Sequence, residues 1–214
     1  MVQPRPIVFV EPAEWLGSCH PLVRQLDCAG ALAAPGAVAG ALPVGGVDDV
    51  AALRRRVRAH QAGLLLPLEL PAICRAFDHT RRNQLRELLR FDRQLGSELQ
   101  ARSVAEASGR VGHAQLQHLR PLRDVRFVQR YLAAVERGRA HAWHTLVYGL
   151  TLAVFSLPLH QGLLSYARQT TGGIIQAAAW PLRLSEHDCR ELLEELCASL
   201  PARVAPLARP ATTP

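Results

Sequence analysis

At 214 residues, with 49% hydrophobic and 20% charged content, the chain is long enough to bury a substantial core and too apolar to be disordered. Its net charge is +7 and all 25 basic residues are arginine. The arginines are spread out rather than gathered with aromatics, so arginine-for-lysine usage in a GC-rich genome accounts for the excess better than nucleic-acid binding does.

Cys19, Cys28, Cys74, Cys189 and Cys197 form no CxxC and no even set, which favours reduced thiols over a disulfide framework. The N-terminal MVQPRPIVFVEPAEW is interrupted by Pro4, Pro6, Glu11 and Pro12, so it lacks the apolar core of a signal peptide, and a cytoplasmic protein is expected. Within it, IVFV at 7–10 suits a short strand or an extended arm, and Trp15–Leu26 a partial helix broken by Pro21.

Gly30–Gly46, GALAAPGAVAGALPVGG, is dense in glycine and proline and reads as an uncharged loop. It lacks the GK[ST] ending of a phosphate-binding loop. Asp48 or Asp49 then caps a helix over Val50–Gly63, with Leu53 and Val57 inward and Arg54–Arg58 on a solvated face. LLLPLELP leads to a short helix near Ala72–Phe77, and Asp78 or Thr80 starts a longer one through about Val104. Ser103 to Gly112 reads as a looser connection, and Val125–Arg137 as a helix that stops at Gly138.

The organising stretch is His141–Leu184. Leu146–Leu159 is apolar on every side, which suits a helix buried inside a helical protein; its 14 or so residues fall short of the roughly 20 that a bilayer needs. Pro158 ends it, a second apolar helix runs from about His160 to Ala179, and Pro181 ends that. The pair reads as an antiparallel hairpin on which amphipathic helices pack. Two glycines mid-helix, Gly172 and Gly173, require a break or a tight helix contact. Ser185 and Asp188 form a capping box for the last helix, and from Pro201 the chain reads as a flexible tail.

No GxSxG elbow, HExxH motif or dinucleotide loop is present, so a catalyst is the less favoured class. His141 and His144 lie three apart, a spacing that would put both imidazoles on one helical face as a weak, transient nickel site. Two ligands do not hold a metal tightly, so no tightly bound cofactor is expected.

His144 before an apolar helix, Gly149, the LPL turn Leu157–Leu159, Ser165-Tyr166, Ala177-Ala178, Leu184 and Asp188 together resemble the urease accessory protein family UreF. Arg90 and Gly96 in RFDRQLG, and the leucine run Gly63–Pro67, are similar to family features in the first half. The family's N-terminal signature is altered: Leu32, Pro35 and Ala39 stand where it has aromatic, serine and acidic residues. Its Asn and Arg fall near Gly173 and Trp180.

The resemblance implies an all-α bundle around a buried helical hairpin, with an irregular N-terminal arm over 1–46, a helical domain over 47–200 and a tail over 201–214. It also implies a non-enzymatic, dimeric scaffold linking the GTPase UreG to UreD/UreH in nickel delivery to the urease apoprotein. Arg90, Gly96, His144, Gly149 and Tyr166 are then the candidate partner-binding positions.

Overall fold

The computed structural model describes residues 35–40, 46–99 and 104–208; the readings placed on the first 34 residues, including the strand and Cys19 and Cys28, lie outside them. Every regular element among the described residues is helical, as expected. In chain order these are α1 (Pro35–Gly40), α2 (Val50–His60), α3 (Leu70–Arg81), α4 (Leu85–Leu99), α5 (Ala105–His118) and α6 (Arg126–Glu136). Then come α7 (His144–Val154), α8 (Leu159–Ala179), α9 (Glu186–Cys197) and α10 (Leu200–Val204).

Several boundaries differ from the sequence expectation, each for a visible reason. Val50 to Arg81 is one unbroken helical run, because Gln61–Glu69 widens into π-type turns. The Leu70 N–H reaches back to the Leu65 carbonyl, and the wider turn accommodates Pro67, which has no N–H to offer. The break comes instead at Asn83, in the left-handed region at φ 54°, so α4 starts at Leu85 rather than at Asp78 or Thr80. The expected loose connection after Ser103 is α5; its Gly112 lies against the Ala142 carbonyl and the His144 N–H, where a side chain would collide.

α7 is buried on every side: His144 to Leu152 are all interior. It ends at Val154, with Ser156 at φ 55°, before Pro158 is reached; the proline opens α8 instead. α7 packs chiefly on α3, close enough that a methyl on Gly149 would lie 2.5 Å from the Ile73 carbonyl oxygen. α8 packs chiefly on α1 and α9. The two central helices meet antiparallel over a short length, where Leu152 touches Gly162 and the Tyr148 hydroxyl donates to the Gly162 carbonyl at 3.0 Å. Each half of the hairpin therefore has its main neighbour elsewhere in the bundle.

α1 replaces the loop expected within Gly30–Gly46 at Pro35–Gly40, the part of that stretch that is described together with Gly46. Its Gly36 lies directly on Gly173 of α8, and Val38 and Ala39 are buried. This is the tight helix contact that the Gly172-Gly173 pair requires. At the other end, α10 stands where a flexible tail is expected: Leu200 is 2% exposed and Val204 0%. Apolar side chains at those two positions hold the chain on the core.

Terminal chemistry is as the sequence indicates. Asp49 caps α2 by accepting from Ala52 N at 2.6 Å, and both hydrogen bonds of the Ser185–Asp188 capping box form at α9. Gly138 stops α6 in the left-handed region at φ 67°.

Candidate protein-interaction site

The segment entering α7 is tied down by a buried carboxylate. Asp92 of α4 is 0% exposed. It accepts from the Tyr131 hydroxyl at 2.7 Å, from His141 N at 2.7 Å and from Ala142 N at 3.1 Å. The His141 Nδ1 lies 3.1 Å from the same carboxylate, and Trp143 Nε1 donates to the Asp92 backbone carbonyl at 3.0 Å. A buried charge needs such a set of partners. One residue thereby joins α4, α6 and the 140–143 segment, and the bond it draws from Ala142 helps hold that residue at φ 55°. Burial, then the Asp92 charge, push the Tyr131 hydroxyl well above its ordinary pKa, so it stays a donor.

Behind this knot lies a second buried polar group. Tyr166 stacks on His144 with ring centroids 5.6 Å apart and meets Tyr148 edge-on at 5.1 Å. Its hydroxyl donates to Glu69, a carboxylate 4% exposed, whose other neighbour is His60 at 3.9 Å. Burial lowers the His144 pKa to about 3, and burial with the nearby Arg56 charge lowers that of His60 to about 4. Both imidazoles are therefore neutral at pH 7. Gln61 closes the group by donating to Thr171 Oγ1 at 3.2 Å and to the Leu196 carbonyl at 3.1 Å.

The positions singled out from sequence divide sharply. Arg90 is exposed, whereas Gly96, His144, Gly149 and Tyr166 are buried. Those four lie in the interior of the chain. A methyl added at Gly96 would lie 3.5–3.7 Å from the Trp143 and His141 rings.

The shared helical face expected of His141 and His144 is not formed. α7 begins only at His144, so His141 lies in the extended approach and stacks on Trp143 with centroids 5.0 Å apart. His144 points into the tyrosine cluster. Among the described residues, no three His, Cys, Asp or Glu side chains converge as a metal site would require.

The basic cluster on α2 is not an open anion site. Arg54 and Arg58 both pair with Glu195 of α9, at 2.8 and 3.1 Å, while the buried Arg168 pairs with Glu194. Sequence reading missed Asp92 and Glu69, although each left a trace. Asp92 lies on the stripe that carries Leu88, Phe91 and Leu95, and Glu69 interrupts an apolar run.

No helix among the described residues is long and apolar enough to cross a membrane. No curated protein matches the chain. The UreF family model matches residues 47–197, which span α2 through α9. The chain is therefore a member of the UreF family of urease accessory proteins.

Proposed function

We propose that this chain is a non-enzymatic scaffold of urease maturation, joining a UreG-type GTPase to a UreD/UreH-type accessory protein as nickel is delivered to the urease apoprotein. The observation that carries the reading is the family match over residues 47–197. The buried polar groups are consistent with it: Asp92 and Glu69 sit among hydrogen-bond donors in the interior and position helices. We further propose that the protein works as a homodimer in the cytoplasm and that nickel is its cargo rather than a resident cofactor.

Copurification tests the scaffold directly. The folded chain mixed with the purified GTPase and UreD/UreH-type protein is expected to yield a ternary complex in gel filtration. Recovery of neither partner would overturn the reading. Equilibrium dialysis of the chain alone against nickel is expected to show no retained metal after buffer exchange.

A further inference from the structure

We propose that the solvent-facing sides of α4 and α6 form a docking face for a partner protein that presents carboxylates. The inference rests on the scaffold reading above and assigns one surface to one of its partners.

Charge distribution is the first observation. Residues 82–139 hold 12 of the 25 arginines and only 6 of the 18 acidic residues, so little more than a quarter of the chain carries nearly all of its net +7. The remainder is close to neutral. Two of those six acids are already engaged, Asp92 in the interior and Glu136 with Arg120.

Pairing is the second. Elsewhere several arginines are matched: Arg54 and Arg58 with Glu195, Arg168 with Glu194, Arg190 with Glu186. On α4, Arg86, Arg90 and Arg93 are exposed at i, i+4 and i+7, on the side opposite the apolar stripe. On α6, Arg126 and Arg130 are exposed at i and i+4, and Arg137 is exposed at its C-terminal cap. None of these six has an ion pair among the described residues. Like charges at i, i+4 destabilise a helix, and an opposing acidic surface removes that penalty.

Rigidity is the third. α4 and α6 are in contact and are tied together by the buried Tyr131–Asp92 hydrogen bond, so the two helices that carry these stripes are fixed neighbours.

The chemistry of that surface favours protein over nucleic acid. Arginine forks match carboxylates bidentately. The aromatics of α4 and α6 all face inward: Phe91 is 6% exposed, Phe127 8% and Tyr131 0%. No ring is left on the face for stacking bases. The one large exposed apolar side chain among the described residues, Trp180, lies in the turn between α8 and α9.

Charge reversal tests the face. Affinity of the full chain for the purified GTPase and for the purified UreD/UreH-type protein is measured from about 50 to about 300 mM salt. The same titration is run with Arg86→Glu/Arg90→Glu/Arg93→Glu, with Arg126→Glu/Arg130→Glu, and with Arg55→Glu on α2 as control. Expected is a loss on the order of tenfold or more for one partner in both reversed variants, a flatter salt dependence and an unaltered control. Each variant's helical circular dichroism and thermal midpoint should match those of the parent, since all six reversed side chains are exposed.

Equal affinity and salt slope in parent and variants would overturn the docking face while leaving the scaffold reading intact. Failure of the parent chain to bind either protein would remove both. A duplex DNA bound more tightly than either protein, and released by the same reversals, would reassign the face to nucleic acid and overturn the inference.

Discussion

Asp92 illustrates how much one side chain can organise. Truncation by Asp92→Ala leaves the Tyr131 hydroxyl and the His141 and Ala142 amides without their acceptor. The expected loss is about 3–5 kcal/mol of unfolding free energy, read from denaturant titration, as for other broken buried charge networks. His144 and His60 give the fold a pH dependence. The folded pKa of about 3 for His144, and that of about 4 for His60, lie below the ordinary 6.5, so the unfolded chain takes up protons first. Their contribution is whole above about pH 7 and is lost as pH falls through 6.5 toward the folded values, at about 1.4 kcal/mol per unit for each histidine. Between pH 6.5 and 5 the two together cost about 3 kcal/mol, since the slope reaches its full value only once the unfolded histidines are mostly protonated. In His144→Phe, denaturation measured across that range should show a slope smaller by the share of one histidine.

Elements in this bundle are set by how closely backbones approach. Gly149→Ala places a methyl 2.5 Å from the Ile73 carbonyl oxygen, so it is expected to destabilise by about 1–2 kcal/mol despite alanine's better helix propensity. Gly63 is the contrasting case, exposed in the helical run with nothing within 4 Å of an added methyl. Gly63→Ala should stabilise by about 0.5–1 kcal/mol, and thermal melts of the two variants should move in opposite directions. Gly173→Ala meets Gly36 instead. It should release α1, read as faster amide exchange over Pro35–Gly40, with little change in α2–α9.

The whole molecule is one helical core that extends past the last long helix. Truncation after Ser199 removes Leu200 and Val204, both buried, and is expected to cost about 3–6 kcal/mol of stability by chemical denaturation. A loss near zero would mean that the tail does not hold to the core. At this scale the charges divide, since Arg54, Arg58 and Arg168 pair with glutamates of α9 while Arg86, Arg90, Arg93, Arg126 and Arg130 of α4 and α6 are left to solvent.

By itself, the sequence determined what depends on local spacing. The all-helical class, the all-round burial of α7, the Asp49 and Ser185 caps and the stop at Gly138 follow from period, side-chain length and backbone freedom within a few residues. Tertiary structure alone decided what depends on neighbours far along the chain. Gly30–Gly46 reads as a loop until Gly36 finds Gly173, and the tail reads as free until Val204 finds the core. His141 and His144 share a face only if a helix covers both, and the pull of Asp92 from 49 residues away on the His141 amide keeps that approach extended. The crowding of arginines into residues 82–139 is already visible in the sequence, but which of them find a carboxylate is not, because sequence records order and not what folding brings within reach.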